Sequence, residues 1–270
     1  MPGAHQKPAT AARMYDYYLG GIHNFPADQE AAKVVLSKSP LLPAIARSNR
    51  AFLGRAVNYL TSAGVRQFLD LGSGIPTEGN VHEIAQAAIP NARVVYVDID
   101  PEAVSESLDL LEGNEFATAI RADVREPQAI LTHSQVRKLL DFDQPVAVLL
   151  VAVLHFVEDT DEARDIVATL RSKLAPGSHV VIAHATVDEI VFDEEHAQYW
   201  KRSQEVYRRQ TTTPLTPRTK SDVARLFDGL EMVEPGLTWV NQWRPDPDTA
   251  DDFKDNPHLS SFYVGMGRVL

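Results

Sequence analysis

The 270-residue sequence contains no cysteine. Disulfides, thiolate nucleophiles and thiolate-bound zinc are therefore excluded. It also lacks an excess of positive charge: 26 lysines and arginines stand against 37 aspartates and glutamates, a formal net charge of −11. A field of that sign repels phosphate backbones and anionic lipid, and Arg208-Arg209 is a pair rather than a basic stripe. Nucleic acid and membranes are accordingly not expected as partners. Apolar runs are short. Val146–Leu154 is the longest, too short to span a bilayer. The opening MPGAHQKPATAA has none of the apolar core of a secretory signal and reads as a flexible tail over residues 1–12. Internal repeats and low-complexity blocks are missing as well. These absences together point to a cytoplasmic protein.

What is present is enough apolar material for a sizeable core, 44% of the chain. Residues 13–65 read as a helical cap. Ala27–Lys38 carries good helix formers and ends at Pro40 and Pro43, and Ile45–Thr61 repeats apolar residues near helical spacing before Gly64. From residue 66 strands and helices alternate. Gln67–Leu71, Arg93–Val97, Ala117–Ala122, Val146–Leu154 and His179–His184 read as strands. Val81–Ala88, Glu102–Leu111, Pro127–Leu140 and Glu162–Leu174 read as the helices between and after them. Asn80 and Glu83 form a capping box at the start of the first. Residues 188–217 are less regular. Ser221–Phe227 then reads as a helix, and Glu231–Val240 and Phe262–Val269 as closing strands. The expected fold is α/β, a seven-stranded, doubly wound, Rossmann-like sheet over residues 66–270 with an N-terminal helical cap.

The most informative stretch is FLDLGSGIPTEGN, residues 68–80. A strand ends in Asp70, then Gly72-Ser73-Gly74 lead towards a helix. Ligands of parallel sheets sit beyond the C-terminal strand ends, and glycines there let backbone approach a ligand closely. The next strand ends in Asp98, 24 residues after Gly74, the spacing of a carboxylate that accepts from ribose hydroxyls. A nucleoside cofactor is the expectation. A dinucleotide would call for a third glycine at position 77, which is Thr77, and for a helix start directly under a pyrophosphate. Pro76-Thr77-Glu78-Gly79 delays that helix and adds a carboxylate, which suits a ligand without phosphates. Asp70 would anchor an ammonium group.

These residues resemble the class I S-adenosylmethionine-dependent methyltransferases. Their first motif, acid-x-Gly-x-Gly, is read here as Asp70-Leu71-Gly72-Ser73-Gly74, with Pro76 where a third glycine is usual. Their ribose acid is Asp98, and the acid after their third strand is Asp123, which with Val124 would contact adenine. Ile99, Ala152 and Val153 complete the implied donor set. The chain is also similar, from about Arg13 to Arg268, to a bacterial methyltransferase family long catalogued as a domain of unknown function. RMYDYYLGGIHNFPADQE, RSNRAFLGRAVNYL, VYVDIDP, VAVLLVAVLHFV and FDGLEMVEPGL carry that likeness beside the glycine motif. It implies the fold and S-adenosyl-L-methionine as donor, and no substrate.

The segment MYDYYLGGIHNF, residues 14–25, is poor core material. Aromatic faces attract a sulfonium, and small residues let a segment fold over a ligand. Residues 15–25 are therefore expected to cap the donor, with Arg13 meeting its carboxylate and Tyr17 or Tyr18, Gly20, Gly21 and Asn24 lining the pocket. The alternative is that the tyrosines pack on the sheet edge and Gly20 ends a helix. His155, at the end of the fourth strand, is the candidate catalytic base, or else a packing residue beside adenine. Asp193, Glu194, Glu195 and His196 read as a solvated helix face, and no metal is expected. Phe192, Tyr199, Trp200, Tyr207, Arg208 and Arg209, within residues 188–213, would border the acceptor or else belong to an amphipathic structural helix.

The expected activity is methyl transfer to a small molecule bearing oxygen or nitrogen. Two rivals stay open: a protein that binds S-adenosylmethionine without turnover and responds by closing its cap or dimerising, and an NAD-dependent oxidoreductase. A homodimer is compatible with the sequence.

Overall fold

The computed structural model describes residues 8–77, 79–186, 188, 205 and 214–270. The aromatic and charged residues expected to border the acceptor, and the acidic stretch 193–196, lie outside the described residues.

Five parallel strands form the body of one mixed sheet: β1 (Gln67–Leu71), β2 (Arg93–Asp98), β3 (Ala117–Arg121), β4 (Ala147–Val151) and β5 (His179–Ala185). Beyond them come β6 (Glu231–Met232), β7 (Thr238–Trp239) and β8 (Phe262–Arg268). The order is β3-β2-β1-β4-β5-β8-β6, with β8 antiparallel to β5 and with β7 also pairing β8. Because β6 and β7 share the far side of β8, the sheet is seven positions wide. The sequence suggests one strand over 231–240. The chain breaks it at Pro235, which has no N–H to give a ladder, and at Gly236, whose φ of +82° turns the backbone.

Strand residues alternate between two cores, as a two-residue period requires. Phe68, Val94, Tyr96, Ala147 and Leu149 face helices α3 (Leu42–Ser62), α4 (Val81–Ala88) and α5 (Pro101–Leu110). Leu69, Val95, Val97, Val148 and Leu150 face α6 (Pro127–Thr132), α7 (Ser134–Leu139), α8 (Thr160–Arg171) and α9 (Lys220–Arg225). Helix starts follow their caps. Asn80 and Glu83 form the capping box on α4, Asp100 caps α5 ahead of Pro101, and Asp159 caps α8. The helix expected over 127–140 is two helices. His133 has extended backbone between them, and its side chain caps the second.

Two shorter helices, α1 (Ala11–Tyr18) and α2 (Pro26–Leu36), pack with α3 as a cap. The expected tail is shorter than 1–12. Ala9 is buried, Thr10 caps α1, and the Pro8 carbonyl accepts from Arg13.

Candidate active site

All five parallel strands end on one edge of the sheet, where α/β ligands bind. Along that edge runs a cavity of about 740 Å³. Its floor comes from the loops after β1, β2, β3 and β4, its far end from the start of β8, and its roof from α1 and α3. From β2 to β8 there are four strand spacings, about 19 Å at roughly 4.8 Å each. One cavity therefore spans room for a nucleoside over β3–β1 and a second ligand over β4–β8.

The glycine loop lies at the β1 end of the cavity. Gly72 has φ +71°, and a Cβ there would sit 2.3 Å from Val153 Cγ2. Only glycine allows this turn to press against the chain leaving β4. Gly74 has φ +68°, with open space where a Cβ would point. Its N–H donates to Asp98 Oδ2 at 2.7 Å, while Asp98 Oδ1 accepts the Asp100 N–H at 2.8 Å. Asp98 is thus aimed by two peptide groups and keeps lone pairs for a ligand. Burial raises its pKa above the ordinary carboxylate value, partly offset by those N–H groups.

Asp70 differs. It is buried on the cavity wall, and among the described residues no donor reaches its carboxylate. Burial lifts its pKa to about 7, against the opposing pull of the Arg50 guanidinium. Asn49 adds a second orphan. Its Nδ2 donates to the Tyr15 hydroxyl, which itself donates to the Ala46 carbonyl. Asn49 Oδ1 is left buried on the cavity lining without a described partner. Asp70, a carboxylate on the cavity wall, is the group there that would take a donor from a ligand.

Ile99, Asp123, Val124, Ala152 and Val153 also line the cavity, as do Ser73 and Gly74. Asp123 is gripped by Arg125 through Nε at 3.0 Å and Nη2 at 2.5 Å. Burial works to raise its pKa, but the Arg125 hydrogen bonds prevail and lower it. Ala152 holds a positive φ of 61°, a left-handed residue at the point where β4 gives way to the site.

The cap is placed differently from the sequence expectation. Tyr18 and Arg13 border the cavity, whereas Tyr17, Gly20, Gly21 and Asn24 do not. Arg13 is committed elsewhere. Its Nε donates to Asp28 at 2.9 Å, Nη1 to Asp100 at 3.0 Å and Nη2 to the Pro8 carbonyl. It latches the cap to the turn after β2 instead of reaching for a ligand carboxylate. The Gly-Gly segment folds around buried Asp16, whose Oδ2 accepts from the His23 N–H and from Asn24 Nδ2. A Cβ on Gly21 would fall 2.0 Å from Asp16 Oδ1. Gly20, φ +81°, closes α1. The glycines thus build a turn behind the roof.

At the far end stands His155, on a 3-10 turn (Leu154–Phe156) after β4. Its ring packs on Phe156 at 4.4 Å and on Phe262 and His184 at 5.7 Å. Burial, with the nearby His184 and Arg218, holds its pKa well below the usual imidazole value. The neutral ring accepts the Ala185 N–H at Nδ1, 3.4 Å away. Phe156, Leu215, Leu259 and Phe262 make the surrounding wall apolar, with Ser261 among them.

Several residues at or behind the cavity wall were not singled out by the sequence. Asp100 had a visible signal, an acid directly before a proline at a helix start. Asn49 and Arg50 lie inside a helix whose exposed and lining faces look alike in sequence. Arg218 had none, because its partners lie at 154–160 and 184.

A mixed sheet with antiparallel β8 inserted beyond β5, a glycine loop after β1 and an acid closing β2 define a Rossmann-like fold of the methyltransferase type. The chain belongs to the S-adenosyl methyltransferase family, whose model matches residues 4–270. A candidate methyltransferase of Thermobifida fusca is 37% identical, with a TM-score of 0.88 over 99% of this chain and 97% of that one. A DUF574 family protein of Streptomyces avermitilis is 38% identical, with a TM-score of 0.90 over 98% of both chains. The plantazolicin methyltransferase BpumL, solved with S-adenosylhomocysteine, shares 11% identity at a TM-score of 0.50 over 96% of this chain and 95% of its own, a likeness of fold alone. No curated protein matches. Among the described residues no helix is long and apolar enough to cross a membrane.

Proposed function

We propose that the protein transfers a methyl group from S-adenosyl-L-methionine to an oxygen or nitrogen of a small molecule held in the same cavity. One observation carries this reading. A carboxylate aimed by two backbone N–H groups, Asp98, and a buried carboxylate lacking a described donor, Asp70, stand on one wall of a cavity that continues to His155. Asp98 would accept from the ribose hydroxyls, Asp123 and Val124 would border the adenine, and Asp70 would receive the ammonium. The sulfonium of the bound donor supplies an activated methyl group. The chain's own contribution is orientation and dryness. Holding two reactants in line supplies about 7–11 kcal/mol of the barrier. The cap and the apolar far wall keep water from the transfer path.

At about 740 Å³ the cavity lies within the range of small-molecule sites, about 300 to 1,000 Å³. Equilibrium titration with S-adenosylmethionine, S-adenosylhomocysteine and NAD checks the donor. Micromolar binding of the first two and none of NAD is expected. NAD binding alone, or no binding, contradicts the proposal.

A further inference from the structure

Arg218 is a buried guanidinium that no sequence motif announces. It carries five N–H groups, and the described residues use all five. Nε donates to Thr160 Oγ1, Nη1 to the Leu154 carbonyl at 3.0 Å and to His184 Nε2 at 2.9 Å. Nη2 donates to the Val157 and Asp159 carbonyls at 2.8 and 3.0 Å. Its backbone N–H donates to the Ala185 carbonyl at 3.1 Å. Arg218 therefore ties the loop after β4, which carries His155, to the end of β5.

The hydrogen-bond directions favour one tautomer of each of the two rings. A guanidinium has no acceptor, so His184 Nε2 must be the unprotonated nitrogen. The proton sits on Nδ1, which donates to the Ala185 carbonyl at 2.8 Å. Ala185 in turn points its N–H at His155 Nδ1. That nitrogen is also unprotonated, and a neutral His155 carries its proton on Nε2.

The geometry points to Arg218 and His184 as positioning residues that set His155 as an N–H donor to the methyl acceptor, not as the base that deprotonates it. The assignment rests on the methyltransferase reading for its use and on hydrogen bonds alone for its content. It narrows the acceptor: the group facing His155 offers a lone pair rather than a proton. The other charges around this cluster are Asp159, whose carboxylate caps α8, and Asp222, whose carboxylate accepts from the hydroxyl of Thr219, the cap of α9, and from Arg225. Neither carboxylate bonds a histidine ring among the described residues.

Long-range proton–nitrogen spectra of the full-length, nitrogen-15-labelled protein test this, with His155→Gln and His184→Gln assigning the rings. The expected result is Nε2–H on His155, Nδ1–H on His184, and neither titrating between pH 5.5 and 8. Arg218→Lys keeps a cation but has three N–H groups for five acceptors. It should turn both rings into tautomer mixtures and let His184 titrate. S-adenosylhomocysteine affinity should change less than threefold, since the donor sits over β1–β3. Nδ1–H on His155, ordinary titration near pH 6.5, or rings unaltered in Arg218→Lys would each overturn the assignment. If that variant does not fold, the wild-type spectrum decides by itself. Titrating the same sample with S-adenosylhomocysteine keeps the two ideas apart. Correct tautomers without binding would undo the methyltransferase reading and leave the hydrogen-bond relay standing.

Discussion

Asp70 and Gly72 show how much one position can carry. Burial lifts the Asp70 carboxyl to about 7 in the folded protein, whereas in the unfolded chain it ionises near 3.8. Below about pH 4 both states are protonated, and Asp70 is neutral to stability. As pH rises towards 7 the unfolded chain holds fewer protons than the folded one, so stability falls, and it levels off above 7. A ligand ammonium reverses the preference by favouring the ionised form. S-adenosylhomocysteine should therefore bind more tightly at pH 7.5 than at 5.5 and release a fraction of a proton near pH 6.5. Calorimetry in two buffers of different ionisation enthalpy measures this, and Asp70→Asn should abolish the proton release.

The two loop glycines separate a steric demand from a conformational one. At Gly74 an added methyl meets nothing within 4 Å, so Gly74→Ala pays only for its positive φ, about 1–2 kcal/mol. Gly72→Ala adds a 2.3 Å clash with Val153 and should cost clearly more, with weaker donor binding as Val153 is displaced. Urea unfolding of the two variants side by side gives the comparison. Equal losses would mean that the β4 exit yields freely.

At the scale of elements, the cap is held by buried charge. Arg13, Asp28 and Asp100 are nearly inaccessible, and Asp100 passes its own N–H to Asp98. Removing one partner of such a network leaves uncompensated buried charge, at a cost of about 3–5 kcal/mol. Arg13→Met should lower stability by that order and speed hydrogen exchange in α1 more than in β1. The exposed pair Arg47–Asp252 is the control, since surface pairs are worth about 0–1 kcal/mol. The parallel strands were legible because buried β-branched runs bounded by turns have few other readings. Their ends were less so. Val146–Leu154 is one apolar run, yet β4 stops at Val151 and Ala152 turns. Val153 and Leu154 are just as buried in the loop as they would be in a strand, so hydrophobicity could not mark the boundary.

At the scale of the molecule, the acids and glycines at the strand ends were readable because topology alone brings them to one edge. The cap was read by composition, which does not show what its side chains bond to. Arg13 looked like a ligand for a carboxylate, and it is one, but for Asp28 and Asp100 of this chain. Gly20, Gly21 and Asn24 looked like pocket lining, and they close a turn around Asp16. The pairing of Arg218 with His184 stayed invisible because it spans 34 positions and exists only once β5 lies beside the loop after β4.

The central claim is that Asp98, aimed by the Gly74 and Asp100 N–H groups, holds the ribose of a sulfonium donor. Asp98→Asn keeps the size but removes the charge and sets an amide NH2 against one of the two backbone N–H groups, so the hydrogen bonds to the ribose lose an ionised, aimed acceptor, worth about 1.5–3 kcal/mol. Calorimetric titration of wild type and Asp98→Asn with S-adenosylhomocysteine is the direct measurement. The account predicts one site per chain in wild type and roughly 10- to 150-fold weaker binding in the variant, a ratio that corresponds to that energy. Equal affinities in the two proteins, with both folded, would contradict it.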